Sequence, residues 1–323
     1  MNSSTIKKFS SKYISIILLF VILVAIVIFL SIKAPYFLKW KNFLNILEAN
    51  SYKMILAIGM TFIIASGGID LSIGSIISLS AIIMAISMKN GAGVGTGILV
   101  GISFGIIMGA FNGIIIHYTG INSLIITLAT SSIFRGISLI LTQGTPITKF
   151  DPRFLFIGTG DLFNMEPGVS IGIIILLISI PLMYKMKWGH YIKSIGGNEE
   201  ALKRTGVKVG LYKITSYIYM GILAAIVGII ITARLNSAEP NAGLGMEIDA
   251  ITAVIMGGTP LSGGKASLAG TVIAVFLLGL IRNGLTIMSI SSDYQQFITG
   301  AILLGSILDA EIKEHRRAYE TTW

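Results

Sequence analysis

The chain has 323 residues, of which 54% are hydrophobic and only 12% are charged, whereas a soluble domain has roughly 25% charged residues. These proportions exclude an ordinary soluble domain and indicate a protein that crosses a membrane several times. The net charge of +9 does not require a nucleic-acid partner, because excess Lys and Arg in a membrane protein mark its cytoplasmic loops. The absence of cysteine excludes disulfides, thiolate nucleophiles and cysteine-based metal sites.

The first apolar run covers residues 13–32. It is longer than the apolar region of a signal peptide, and no small-residue cleavage site follows it, so we expect it to be retained as a membrane helix. The apolar runs together predict an all-α, multi-pass membrane protein, with a single domain over residues 1–323. We place about ten helices at residues 13–32, 54–67, 71–88, 95–117, 121–141, 168–188, 214–234, 248–258, 267–286 and 294–310.

Two breaks between these runs share the phrase G-G-x-x-L-S-x-G. The first glycine phrase is GGIDLSIG at residues 67–74, and the second glycine phrase is GGTPLSGG at residues 257–264. Paired apolar segments interrupted by glycine or proline are typical of transporters built from internal repeats. We therefore predict two glycine-broken helix pairs. The candidate pathway or hinge residues are Gly67, Gly68, Asp70, Ser72, Gly257, Gly258, Ser262 and Gly263.

The placement of basic residues predicts the topology. Both termini and the connection at residues 189–213 are rich in Lys and Arg, so both termini, including the tail at residues 311–323, and this connection are expected in the cytoplasm. The chain must then begin and end on the same membrane face at each glycine phrase. Either ten helices cross the membrane, or eight cross it and two re-entrant hairpins do not. In this topology the lysine-containing segment 33–53 lies outside, where we interpret it as an interfacial piece.

A short helix is predicted inside the basic connection. Asn198 is a good N-cap, Glu199 and Glu200 occupy the first turn, a basic pair follows, and Gly206 stops the helix. A helix of about two turns is not stable alone in water. Two interpretations follow: a rigid knob that fits a groove of another protein, or a solvated connector.

The same segment carries a family resemblance. Residues 200–206 read EALKRTG and resemble the E-A-A-x-x-x-G loop of ABC importer permeases, with Leu202 in place of the second Ala. Most of the chain is similar to the permease subunits of ribose-type sugar ABC importers. The similar stretches are GGIDLSIGS (67–75), GGNEEALKRTGVKV (196–209), AVIMGGTPLSGGKASLAGTVIAVFLLGLIRNGL (253–285) and SSDYQQ (291–296).

The resemblance implies a helical permease that works with a cytoplasmic ABC ATPase, an extracellular solute-binding protein and a second permease copy, identical or not. It makes the short helix the ATPase-coupling helix, with residues Asn198, Glu199, Glu200, Ala201, Leu202 and Gly206. It also implies a monosaccharide or a similar small polyhydroxy solute, with pentose, hexose, furanose signal molecule and nucleoside all open. Departures from the family pattern at Pro260, Lys265 and the Trp188-Gly189-His190 triplet argue against naming one sugar.

No energy-converting site of its own is expected in the chain. Residues 259–266 approach the phosphate-binding motif G-x-x-x-x-G-K-[ST], but Thr259 replaces the first glycine and Ala266 replaces the hydroxyl residue. The three histidines are far apart in sequence, so no metal or other cofactor is predicted, and ATP is assigned to the partner subunit. The alternative is a gradient-driven secondary transporter in which Asp70 or Arg135 handles the coupling ion. Asp70 equally suits a purely structural cap at a broken helix end.

Overall fold

The computed structural model describes residues 3–34, 36–162 and 164–320; residues 1, 2, 35, 163 and 321–323 of the predicted domain lie outside this description. The described residues form twelve α-helices and two strands of two residues each. The helices are α1 Ser3–Lys33, α2 Trp40–Ala65, α3 Ile73–Lys89, α4 Val94–Thr119, α5 Ser123–Thr142, α6 Pro152–Thr159, α7 Pro167–Tyr184, α8 Lys187–Arg204, α9 Val209–Leu235, α10 Met246–Met256, α11 Leu268–Ile287 and α12 Ser292–Glu320. The strands β1 (Ile147–Thr148) and β2 (Ser237–Ala238) pair antiparallel.

Six of these helices are long and apolar enough to cross a membrane: α2, α4, α5, α7, α9 and α11. The predictions of a helical fold and of a multi-pass membrane protein are therefore confirmed. The predicted spans 71–88 and 248–258 fall on α3 and α10, which have only 17 and 11 residues. The expectation of about ten membrane helices thus exceeds the number that length and composition alone support within the described chain.

Two segments are more helical than predicted. Helix α2 begins at Trp40, so the lysine-containing segment assigned to an interfacial piece is largely its first half. The predicted loop at residues 189–213 is also mostly helical, because α8 extends to Arg204 and α9 starts at Val209. In α2 polar residues interrupt the apolar pattern, but the helix continues through them. The second segment is not one continuous helix, because Asn198 has non-helical backbone angles within α8 and residues 205–208 separate α8 from α9.

The buried core lies around α2 and α9, and the helix directions follow from the contacts around it. Helix α9 leaves the end of the bundle that carries residues 189–213, which we call the basic end. Helix α2 is antiparallel to α9, since Gly59 packs on Met220 and Gly68 on Tyr217.

Helix α3 runs in the same direction as α9. Gly97 and Gly101 of α4 pack on Met88 and Met84 of α3, so α3 and α4 are antiparallel. Further along α4, successive glycines pack on α9 in the opposite order, so these two helices are antiparallel as well. The chain therefore reverses direction between α2 and α3, at the first glycine phrase.

The second glycine phrase joins another antiparallel pair. Gly257 at the end of α10 packs on Thr271 of α11, and Asp249 near the start of α10 pairs with Arg282 further along α11. Helix α2 is also antiparallel to α11, because the hydroxyl of Thr61 lies 3.1 Å from that of Thr271 while Asn50 lies against Gly279. Helices α2 and α10 thus run in the same direction.

Candidate functional site

A kink in α8 sets off a short helix whose two ends are capped. Asn198 has φ −162° and ψ 95°, outside the helical range. Its Oδ1 accepts a hydrogen bond of 2.9 Å from the amide of Ala201. At the other end Gly206 adopts φ +83°, and its amide donates to the carbonyl of Lys203 at 3.0 Å. Residues 199–204 with their cap Asn198, which we call the capped helix, have the local geometry that the sequence predicts.

The two glutamates of the capped helix face different surroundings. Glu199 accepts from Lys203 at 3.0 Å and from Lys213 of α9 at 2.5 Å. Burial raises the pKa of the Glu199 carboxyl, but these two ammonium groups outweigh that effect and hold its pKa below the usual range. The Glu200 side chain is 68% exposed and pairs with Arg204 at 3.8 Å. The capped helix therefore presents Glu200, Arg204 and the exposed Ala201 to solvent.

The two glycine phrases and the residues before the capped helix meet at one place. The amide of Gly264 donates a 3.0 Å hydrogen bond to the carbonyl of Ala65, the last residue of α2. A Cβ on Gly263 would lie 2.8 Å from the Gly67 nitrogen and 2.9 Å from the Gly196 Cα. We call this meeting point of segment 65–67, Gly196 and segment 263–264 the glycine junction. It brings Gly67 and Gly263, both predicted hinge residues, into contact.

The remaining predicted glycines are near the junction and play different local parts. A Cβ on Gly68 would lie 2.7 Å from the Tyr217 hydroxyl, so Gly68 lets α9 approach. Gly257 allows the end of α10 to lie against α11. Gly258 has φ +91° with open space around it, and Ser262 is exposed. Of these three glycines, Gly258 alone has a backbone angle that by itself favours glycine over any other residue.

Asp70 and Ser72 lie away from solvent, in a polar cluster between α3 and α4. Both side chains are fully buried. Asp70 Oδ1 accepts from the Ser72 amide at 2.8 Å and from its hydroxyl at 2.6 Å. Asn112 of α4 donates to that hydroxyl at 2.7 Å. Asp70 Oδ2 and Asn112 Oδ1 are buried without a hydrogen-bond partner among the described residues.

Helix α5 completes the anchoring of the first glycine phrase. The Ser123 hydroxyl accepts from the Ile69 amide at 3.0 Å, and the Thr127 hydroxyl accepts from the Leu71 amide at 3.0 Å. These bonds satisfy backbone donors that a broken helix leaves unpaired. The phrase is therefore fixed to α4 and α5 by side chains, and Asp70 is part of that anchoring.

Arg135, the other conspicuous intramembrane charge, has carbonyl partners. Its guanidinium donates to Pro240 at 2.6 Å and to Ala242 at 2.9 Å. These residues precede α10, so Arg135 ties the middle of α5 to the connection between β2 and α10. Within the described residues, no group of three or more His, Asp or Glu side chains is placed to hold a metal ion.

The sequence reasoning missed one cluster of charges. Asp249 of α10 accepts from both terminal nitrogens of Arg282 of α11, at 2.6 and 2.7 Å. Lys53 of α2 lies 3.3 Å from the same carboxylate. The signal was present in the sequence, because Asp249 and Arg282 have opposite charges and occupy two consecutive predicted spans. We call these three residues the ion cluster.

Comparison with known proteins places the chain in a family. Residues 42–307 match the family described as the branched-chain amino acid transport system / permease component. The match covers most of the chain, including nearly all of α2, both glycine phrases and the capped helix. The chain belongs to this permease family.

Individual relatives of this permease are similar along nearly their whole length. The ribose import permease protein RbsC of Bacillus subtilis (strain 168) is 40% identical over 285 residues, which are 88% of each chain. RbsC of Escherichia coli (strain K12) is 35% identical over 89% of this chain and 90% of its own. The D-allose transport system permease protein AlsC of the same strain is 33% identical over 89% of each. No solved structure matches the chain.

These matches confirm the resemblance to permease subunits of ribose-type ABC importers. They include the region of every predicted site residue, since residues 67–74, 198–206 and 257–264 all lie within the family match. The alternative of a gradient-driven secondary transporter has no support among the relatives described here.

Proposed function

We propose that the chain is the membrane-spanning subunit of an ATP-driven importer for ribose or a closely related monosaccharide. The observation that carries this proposal is the capped helix, a rigid and exposed element at the basic end of the bundle. An ATPase partner can push on such an element without first ordering it, because its ends are already satisfied. The similarity to ribose and allose permeases supports the solute class.

The proposed topology has ten membrane traverses with both termini in the cytoplasm. Its support is the alternation of helix directions, in which the chain reverses at both glycine phrases and α10 and α11 are antiparallel. Helix α12 returns toward the basic end, because Gln295 and Thr299 of α12 bond Thr286 and Arg282 of α11 in reverse order. The basic connection at residues 189–213 then faces the cytoplasm, as the positive-inside rule requires.

The proposed partners are an ABC ATPase in the cytoplasm, a solute-binding protein outside and a second permease copy that completes the pathway. The ATPase binds ATP, and this chain needs no cofactor. The capped helix, with Asn198, Glu199, Glu200, Ala201, Leu202 and Gly206, is the docking element for the ATPase. Membrane lipid covers the apolar outer surfaces of helices such as α5 and α7, whose large side chains are exposed in the isolated chain.

The proposed mechanism assigns different duties to the two glycine phrases. The solute-binding protein delivers the sugar at the end of the bundle opposite the basic end, and ATP-driven closure of the ATPase pair displaces the capped helix. This displacement rocks the helices that end at Gly67–Gly68 and at Gly257–Gly258. Ser262 and Gly263 move with the second phrase, whereas Asp70 and Ser72 hold the start of α3 in place.

Uptake of radiolabelled D-ribose by cells that express the complete importer tests the proposal. We expect G206P to abolish uptake, because proline cannot adopt φ +83° and lacks the amide that bonds Lys203. The control is G91P, which should keep uptake. Gly91 also has a positive φ, +94°, and an amide that bonds Met88, but it lies in the connection between α3 and α4 and not in the capped helix. Normal uptake in G206P, at membrane levels equal to wild type, would contradict the docking role.

Three further measurements separate the alternatives. Reversal of the charges of Glu199 and Glu200 should also abolish uptake while membrane insertion is unchanged. Unlabelled D-allose, L-arabinose and a nucleoside, each added in excess, define the solute by competition. Ribose uptake into liposomes that contain the purified chain alone, driven by an imposed ion gradient, would instead indicate a secondary transporter.

A further inference from the structure

Gly196 occupies a position in the glycine junction where no side chain fits. A Cβ at this residue would overlap the carbonyl oxygen of Ala65 and would lie 2.5 Å from the amide nitrogen of Gly264. Both atoms belong to the backbone and are joined to each other by a hydrogen bond, so neither can move aside alone. At the next residue, Gly197, the nearest atom to an added Cβ is 4.0 Å away. The requirement for glycine is therefore specific to residue 196.

The other two segments of the junction are equally close. Gly263 and Gly264 have φ of +80° and +77°, which places the second phrase in a tight turn against the end of α2. Three backbones thus touch without intervening side chains. Direct backbone packing has no rotamers that could absorb a displacement, whereas contacts between long side chains have several.

The junction lies next to the capped helix in the sequence. Only Gly197 separates Gly196 from the cap Asn198. On the other side, Ala65 ends α2, and Gly264 lies in the turn between α10 and α11. A push on the capped helix therefore reaches α2 and the α10–α11 pair through one residue.

The same three transmembrane helices are joined again further from the basic end. The ion cluster connects Lys53 of α2, Asp249 of α10 and Arg282 of α11. Two attachments at different heights prevent one helix from tilting relative to the others. By contrast, the capped helix is joined to α9 by the Glu199–Lys213 pair, which consists of two flexible side chains.

We propose that α2, α10, α11 and the capped helix move as one rigid body during transport, and that Gly196 is the positioning residue that makes them one. This inference rests on the proposed function of the capped helix as the ATPase docking element. It adds which helices follow that element and through which residue the movement passes.

Spin-label distances test the rigid body without any partner protein. The chain has no native cysteine, so A201C on the capped helix and A269C on α11 give a clean label pair at two exposed residues. In lipid nanodiscs we expect a single narrow distance distribution in the otherwise native chain and in G197A. We expect G196A to at least double its width. Equal widths in G196A and G197A would overturn the proposal.

Hydrogen–deuterium exchange of the native chain gives a second test that needs no core substitution. The Gly264 amide should be protected, because it donates to Ala65 in the junction. Peptides that cover residues 62–68 and 260–266 should lose protection together when the protein is mildly destabilised. Exchange of the Gly264 amide at the rate of the exposed residues 203–206 would show that the junction is not closed and would overturn the proposal.

Coupling measurements then separate this inference from the proposed function. In the complete importer, G196A should hydrolyse ATP while moving at least tenfold fewer ribose molecules per ATP, and G197A should have the native ratio. A substitution that only lowered stability would reduce the amount of importer and leave this ratio unchanged.

If G206P abolishes uptake but G196A keeps the native ratio, the importer assignment stands and the rigid body is wrong. If G206P has no effect, the docking role fails, and the spin-label result still decides the rigid body.

Discussion

Asp249 and Arg282 form a two-point ion pair between consecutive helices, with both carboxylate oxygens accepting from the guanidinium at 2.6 and 2.7 Å. Their side chains are 18% and 30% exposed. Charges in this environment are costly unless they are paired, and a planar guanidinium matches a carboxylate at both oxygens. The pair therefore fixes the register of α10 on α11.

Removal of the carboxylate charge should destabilise the protein. D249N leaves Arg282 and Lys53 as neighbouring positive charges with no anion between them, and we expect a loss of about 2 kcal/mol, below the range for fully buried pairs because water reaches part of the cluster. Thermal unfolding in detergent measures the loss. K53M is the control and should cost less, because Asp249 keeps both bonds to Arg282. A D249N melting temperature equal to wild type would contradict the prediction.

The Asp70 carboxylate should be less stable in its site than an amide. Asp70 is fully buried, its Oδ2 has no partner, and no cation pairs with it among the described residues. D70N keeps an oxygen that accepts from Ser72 and removes the buried charge, so we expect stability to rise by about 1 kcal/mol. D70A loses the acceptor and should be less stable than wild type by a similar amount. Thermal unfolding and ribose uptake are measured on both.

The two readouts separate structure from transport at this residue. If Asp70 serves only to anchor the first glycine phrase, D70N will import ribose normally. If the pathway uses the charge, D70N will be stable and inactive. A destabilised D70N would contradict the burial argument itself.

The membrane helices with long apolar runs were predictable from sequence because each run is set off by charges or glycines. The span predicted at residues 95–117 is α4, Val94–Thr119, and the span predicted at 214–234 lies within α9. The first half of α2 was not found, since Lys41, Glu48 and Lys53 interrupt its hydropathy. There Glu48 and Lys53 pair with charges on other helices, which no local pattern reveals.

Part of the candidate site was predictable from the sequence, and part was not. Local signals gave the cap of the short helix and the two glycine phrases, because capping and turn formation depend on neighbours in sequence. The contact of Gly196 with Ala65 and Gly264 joins residues separated by more than 60 positions on either side. Only the packed structure brings them together, and the glycine-rich phrases by themselves do not indicate which glycine touches which.

The capped helix should respond to acid through Glu199. Because the pKa of Glu199 is held below its usual range in the folded chain, its ion pairs contribute stability that is complete above about pH 5 and is lost as the pH falls below roughly 4. A fluorophore on A201C should report this acid transition in the purified chain. E199Q should abolish the transition. E200Q is the control and should keep it, because Glu200 is largely exposed and 3.8 Å from Arg204. A transition centred above pH 5 would contradict the prediction.

The close contact of α4 with α9 should depend on glycine at three positions, Gly105, Gly109 and Gly113. A Cβ on Gly105 would lie 2.5 Å from the Gly221 carbonyl oxygen, and one on Gly109 would overlap the Tyr217 carbonyl. These glycines follow the four-residue spacing that lets membrane helices approach each other. G109A must separate the two backbones, so we expect it to lower the free energy of unfolding by about 1 to 3 kcal/mol. The matched control is G136A in α5, where an added Cβ meets no atom within 4 Å and where alanine favours the helix. Thermal unfolding of both variants in the same detergent decides the question, since equal melting temperatures would mean that α4 and α9 can separate without cost.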